Sequence, residues 1–460
     1  MLRVRYPATF AAERRYVVDV LLGEFLGLDC IHEEAAIDGF EISLAENPGA
    51  GRVVLADGLF AQGDRERLSI AVLPREPLKL WDLAGSGVDA SVVSQELPVI
   101  YGSAPYLELA EDEVRLGLDV FGSSFFMLAR LEEAIRTERD VHDRLPASES
   151  LAAKEGFLER PIVNEYLEIL WWAIRRVWPS LQRRPRELRV LPTHDVDYPF
   201  CSRTSLKVLA RRAAKDVVRT KDPLLALARV RAFVTSAYRG PSSDLCNTFD
   251  FIMRACERRG LTGAFYFIAG RTDPRFDTDY AIESPEVRQL IGDIARRGHE
   301  IGLHPSYGTY QDVGRLRAEL ATLRRVSLEE GVDQREWGGR QHFLRWSNPE
   351  TWAAWDEAGL DYDSTLGFAA ASGFRCGTCY EYPAFDVVSR TPLRLRERPL
   401  LLMEGTLTQY QNRDIAEILE PARLLKERCR LFGGDFTFLW HNNWLARRTE
   451  RKAYEAVLDV

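Results

Sequence analysis

The chain is predicted to be an α/β protein: a distorted, incomplete (β/α) barrel with parallel strands, preceded by a smaller mixed α/β domain. Three observations lead there. In the second half, short β-type apolar runs such as 263–268 and 436–440 alternate with stretches of helical periodicity. The links are long enough for helical crossovers between parallel strands. Asp, His and Arg side chains follow directly after those runs, where the strand-to-helix loops of such a barrel share one mouth.

The first half reads as mixed. Helical spacing covers 16–28, strands are expected at 40–43, 53–55 and 97–101, and helical spacing returns over 123–136. The stretch 165–178 is a strongly apolar helix whose Trp171, Trp172 and Trp178 form a core or interface stripe. An Arg-Pro-rich segment, 182–187, ends it, which sets the expected boundary between an N-terminal domain, 1–185, with no legible catalytic pattern and a second domain, 186–460. There a strand at 188–191 leads into the acids at 195 and 197. The basic stretch 205–238 interrupts the alternation as a helical insertion, by default a solvated amphipathic face. Helices are then expected at 249–259, 285–297, 315–328, 349–358 and 415–430. Strands are expected at 263–268, 299–304, 340–345, 361–363, 400–403 and 436–440.

Composition narrows the function. With 460 residues, 46% hydrophobic and 28% charged, the chain is an ordinary globular one with room for two or three cores. Its net charge of −8 argues against a general nucleic-acid partner, which would need a basic face. Arg14, Arg15, Asp19 and Glu24 break up the only apolar N-terminal stretch, and no run approaches the ~20 apolar residues of a membrane span, so a cytoplasmic location is expected. The seven cysteines, odd in number and scattered, suggest reduced thiols. Cys376-Gly-Thr-Cys379 is the one close pair and, without a second pair, reads as structural.

The chemistry centres on Thr193-His194-Asp195-Val196-Asp197. On a strand, a period of two puts Asp195 and Asp197 on one face, where two carboxylates repel unless a cation or a shared proton intervenes. Alone, such a pair is as readily an Asx turn closing a strand. Downstream stand His304, Arg340, His342, Asp363 and His441, each near a predicted strand end, and five of the seven histidines lie in this half. Imidazoles and carboxylates together are the ligands of a zinc-like ion that keeps a position open for water.

These residues resemble the polysaccharide deacetylase family, carbohydrate esterase family 4, whose members remove acetyl groups from sugars. Thr193–Asp197 is similar to a variant of its first motif, implying Asp195 as catalytic base and Asp197 as metal ligand. Gly263-Ala-Phe-Tyr-Phe267 resembles its apolar A-T-F-F-V strand. Gly298-His-Glu-Ile-Gly-Leu-His304 resembles its second motif, implying His304 as ligand. Arg340-Gln-His-Phe resembles R-x-P-Y, with Arg340 holding the base. Asp363, or failing it Asp361, is the nearest match to the acid that orients that arginine. Leu439-Trp-His441 resembles the closing motif, with His441 as general acid. The resemblance covers about 186–445 and rests on five motifs in order.

The chain departs from the family at two places. Gly308 stands where the second histidine belongs, and His342 stands where the family has proline. His342 is therefore the expected third ligand beside Asp197 and His304. His299 is expected to pack or to support a ligand. The function implied is metal-dependent removal of an N-acetyl group, with Zn²⁺ the first choice of ion. Trp346, Trp440 and Trp444, along with Trp337, are candidate platforms for sugar rings. The partner expected is an acetylated sugar or glycan precursor, with no membrane span. The rivals are a non-sugar linear-amide hydrolase using the same residues and a non-catalytic carbohydrate-binding or scaffold protein without its metal.

Overall fold

A computed structural model describes residues 1–62, 68–200, 206–218, 223–239 and 243–459. Strands β1 (Leu2–Tyr6), β2 (Cys30–Glu34), β3 (Phe40–Leu44), β4 (Arg52–Leu55), β7 (Gly102–Leu109) and β8 (Glu113–Leu118) form a mixed sheet in the order β2-β1-β3-β4-β8-β7, and β5 (Lys79–Asp82) and β6 (Glu96–Val99) form a separate hairpin. Leu2, Val4 and Tyr6 alternate into the core along β1, as a strand with one covered face requires. The helix Ile162–Val177 covers this sheet with an almost wholly buried apolar face.

The second sheet has nine strands: β9 (Arg189–Val196), β10 (Ala264–Phe267), β11 (Glu300–Leu303), β12 (Gly338–Gly339), β13 (Tyr362–Asp363), β14 (Tyr382–Asp386), β15 (Thr391–Glu397), β16 (Leu402–Met403) and β17 (Asp435–Leu439). Its order is β14-β15-β13-β12-β11-β10-β9-β17-β16, and every neighbouring pair is parallel except β14–β15. The parallel α/β character matches the sequence reading. A barrel is not shown: among the described residues the order has two ends, β14 and β16, and no ring of hydrogen bonds joins them, so the expected incomplete barrel is an open sheet here. β10 and β17 are buried along their whole length, as strands covered on both faces should be.

One expected strand is replaced. Over 340–345 the chain makes a tight turn, and the ladder contribution is only Gly338–Gly339. A Cβ on Gly339 would lie 1.8 Å from the Leu303 carbonyl oxygen, so glycine alone permits β12 to approach β11 this closely. The insertion near 205–238 appears as helices Leu206–Val218 and Pro223–Arg239, while 205 and 219–222 lie outside the described residues. Asn442 Nδ2 donates to the carbonyls of both Tyr198 (2.9 Å) and Cys246 (2.8 Å), so the two roots of the insertion meet beside His441.

The two sheets share one continuous apolar core. Buried charges cross between their halves: Arg375 Nε (2.9 Å) and Arg130 Nε (3.0 Å) both donate to Glu133 Oε1. The expectation of wholly reduced cysteines is corrected, because Cys246 is disulfide-bonded. Cys201 lies outside the described residues, whereas Cys376 and Cys379 are free and buried. No helix among the described residues is long and apolar enough to cross a membrane.

Candidate metal centre

Because β9, β11, β12, β16 and β17 run parallel in one sheet, with β10 parallel between β9 and β11, their C-terminal ends point the same way. The residues just past those ends, Asp197, His304, Arg340, Glu404 and His441, therefore meet at one rim. Asp197, His304 and His342 each offer a ligand atom within 4.8 Å of the others. Asp197 Oδ1 lies 3.3 Å from His304 Nε2 and 3.7 Å from His342 Nε2. A tetrahedral ion with bonds of ~2.0–2.1 Å keeps its ligands about 3.3 Å apart, so this spacing fits one with little adjustment.

The hydrogen bonds point the same way. Asp197 Oδ1 is buried and has no hydrogen-bond partner. The far nitrogen of each histidine is taken: His304 Nδ1 donates to the Arg340 carbonyl (2.5 Å) and His342 Nδ1 to Asp277 Oδ1 (3.1 Å). Each Nε2 is thereby left with its lone pair toward Asp197, the tautomer a metal ligand needs. Burial works against charge on Asp197, but the imidazoles of His304, His441 and His342 outweigh it and hold the carboxyl well below the usual range. The donor set fits a divalent cation.

Two further side chains flank the triad. Arg340, fully buried, donates from Nη1 to Asp195 Oδ1 (2.9 Å), leaving Oδ2 3.8 Å from His304 Nε2. On the other side His441 Nε2 is 3.6 Å from Asp197 Oδ2, and its Nδ1 donates to Glu404 Oε1 at 2.6 Å. Burial alone would lower the His441 pKa. The carboxylates of Glu404, Asp197 and Asp195 reverse this and push it up to about 10.

Several expectations need correction. Asp363 does not hydrogen-bond Arg340: the arginine is held by the Ser364 carbonyl (2.8 Å) and Ser364 Oγ (3.0 Å), while Asp363 Oδ1 accepts from the Thr365 N–H (2.9 Å) and hydroxyl. Burial pushes the Asp363 carboxyl up to about 7. Asp361, the fallback, accepts from the Trp337 N–H instead. Trp440 and Trp346 are fully buried, the first edge-on to Tyr454 and the second edge-on to Trp352, so neither can stack on a ligand; Trp337 is buried too. Trp444 is half-buried. His299 lies at the start of β11, away from the rim, and accepts from the Gly263 N–H.

Gly308 is tightly placed for the family's histidine, since a Cβ would meet the Thr272 side chain at 3.1 Å and require it to shift. Thr272 there serves Asp277, which accepts from Thr272 N–H (2.7 Å), Asp273 N–H (2.8 Å) and Tyr307 N–H (2.7 Å) and so braces His342. Sequence reasoning missed Asp277, Glu404 and Ser364. Of these, Glu404 carried a signal, an acid directly after an apolar run, 400–403.

Comparison with known proteins gives a family model, described as a family of unknown function (DUF7033), that matches residues 2–179. No curated protein matches the chain. Among solved structures it is similar to a Mycobacterium smegmatis protein provisionally described as a polysaccharide deacetylase (18% identity, TM-score 0.39, covering 60% of this chain and 84% of that one). It is also similar to a probable polysaccharide deacetylase from Pseudomonas aeruginosa PAO1 (15%, 0.38, 67% and 90%) and to Puue allantoinase (15%, 0.37, 61% and 85%). At those identities and scores the likenesses assign nothing to this chain.

Proposed function

We propose that this chain is a metal-dependent hydrolase that removes an N-acetyl group from a sugar or glycan precursor, with Asp197, His304 and His342 as ligands and zinc as the ion. One observation carries the reading. Three ligand atoms converge, with the second nitrogens of both histidines already committed, and an arginine-held carboxylate and a carboxylate-held imidazole stand on opposite sides of them. A divalent ion bound there supplies Lewis acidity toward the amide carbonyl and toward a water molecule.

The side chains divide the proton work. Arg340 fixes Asp195 Oδ1, so Oδ2 is the atom that takes the proton of the attacking water. His441, protonated and held by Glu404, gives its Nε2 proton to the nitrogen as the C–N bond breaks. Acetate and a free amine leave. Asp277 and the Arg340 carbonyl keep the two imidazoles in register throughout.

The burial of Trp337, Trp346 and Trp440 favours a second reading, a linear amide that is not a sugar, because three of the four rings expected to line a sugar site are unavailable. A single set of measurements separates the readings. The purified protein is analysed for bound metal, then assayed for amine release from N-acetylated sugars and from small acyclic amides, alongside Asp195→Asn. The expected result is stoichiometric metal, release from acetylated sugars and a loss of ~10²–10⁴-fold in kcat for the variant with metal retained. Release from small amides alone would replace the sugar reading with the second, and a fully active Asp195→Asn protein would remove the base.

A further inference from the structure

The third ligand sits in a turn with an unusual backbone. Directly after His342, Phe343 (φ 61°, ψ 15°) and Leu344 (φ 53°) both lie in the left-handed region, which bulky L-residues rarely enter. Two consecutive residues of this kind persist only where their surroundings hold them. Phe276, Tyr307 and, around Leu344, the cluster of Ala369, Leu400, Met403 and Leu439 supply part of that hold, and the rest comes from the other half of the chain.

The segment 140–145, N-terminal to the expected boundary, interlocks with this turn. Arg144, buried and gripped through Nη2 (2.7 Å) and Nε (2.9 Å) by Asp140 Oδ2, donates from Nη1 to the Phe343 carbonyl at 2.6 Å. Arg345 reaches back, donating to the His142 carbonyl (2.9 Å) and the Tyr307 carbonyl (2.6 Å) between the rings of Tyr307 and Tyr310. The His142 ring lies 4.6 Å from that of Phe343, and its Nδ1 is 3.1 Å from the Tyr307 hydroxyl. The Tyr310 hydroxyl donates to Asp143. Tyr307 and Tyr310 follow His304, so the clamp grips the loops behind both histidine ligands.

We propose that the N-terminal region is a working part of the metal centre: its segment 140–145 holds the turn that presents His342, and Arg144 is the positioning residue. The proposal rests on the ligand set proposed above. It gives residues 2–179, which match a family of unknown function, a definite task. It also accounts for a ligand at 342 in a chain with glycine at 308, since that imidazole is aimed by a contact from outside the second sheet.

Co²⁺ titration of the full-length metal-free protein tests this, with the visible d–d absorption reporting ligand geometry and circular dichroism reporting the fold. Arg144→Ala should bind Co²⁺ about 10–100-fold more weakly, with an altered d–d spectrum, while the far-UV spectrum is unchanged. Adding Phe343→Gly to Arg144→Ala should recover most of the affinity, because glycine takes φ near +60° without support. Arg144→Lys, which keeps the charge beside Asp140 but offers a single donor group, should fall between wild type and Arg144→Ala and serves if the alanine variant does not fold. Wild-type affinity and spectrum in both Arg144 variants, or a glycine double variant no better than its parent, would overturn the clamp while leaving the metal reading intact. A wild-type protein that takes up no Co²⁺ would overturn both.

Discussion

At His441 two opposing effects meet, and their balance makes a measurable prediction. Burial favours the neutral ring, yet Glu404, Asp197 and Asp195 together keep the proton on up to about pH 10. A histidine pKa raised above its unfolded value of ~6.5 contributes stability that is fully present below that value and is lost as pH rises through the folded pKa. The metal-free protein should therefore lose stability between about pH 6.5 and 10, on the order of a few kcal/mol. Glu404→Gln should bring the His441 titration down toward neutrality in an NMR pH series and flatten the stability profile over that window. An unmoved titration would contradict the pairing. Asp195, Asp197, His304 and His441 were legible in the sequence because each stands at or just past an apolar run in its own element. Asp277 and Ser364 act across elements on another residue's far side, which linear spacing does not record, and Glu404, although it follows the apolar run 400–403, gives no hint in the sequence that its partner is His441.

The strands were readable where apolar runs are long and covered on both faces, as in β10 and β17. They were not readable at the sheet edge, where β14 and β15 carry Pro383, Pro392 and alternating arginines that mask the β pattern. The turn at 340–345 was misread as a strand because its left-handed residues are neither Gly nor Asn and give no signal of their own. Between elements, the knot of Arg130, Glu133 and Arg375 ties the helix Leu131–Ile135 to the loop before β14. Burial alone would raise the Glu133 pKa, but Arg375 and Arg130 lower it to about 2, so its contribution is present above the ordinary carboxylate value of about 4.5 and is lost as pH falls through about 2. Removing one partner from a buried pair is costly: Arg375→Ala should lose ~3–5 kcal/mol in urea unfolding at pH 7, with a smaller acid dependence between pH 4.5 and 2. A loss below about 1 kcal/mol would mean that the charges are already hydrated.

The described residues form two large sheets on one apolar core, with the rim that carries Asp197, His304 and His342 braced by contacts from both halves. Calorimetry should accordingly show a single cooperative transition rather than two. Excess Zn²⁺ should raise its midpoint, by the equivalent of ~2.7 kcal/mol at a hundred times Kd, and a chelator should reverse the shift. Two separate transitions, with only one responding to metal, would show that the halves unfold independently. The division of labour between the halves was hidden from the sequence because the contacts that express it, such as Arg144 to the Phe343 carbonyl, join positions 199 residues apart.

The pinning of Tyr198 and Cys246 by Asn442 has the opposite character. The two-helix insertion lies between two points, Tyr198 and Cys246, that one side chain holds together beside His441. Because those points are fixed, lengthening or replacing the helices Leu206–Val218 and Pro223–Arg239 should leave the register of the strands unchanged. Exchanging those helices should then change what approaches His441 while Asp197, His304 and His342 keep their places.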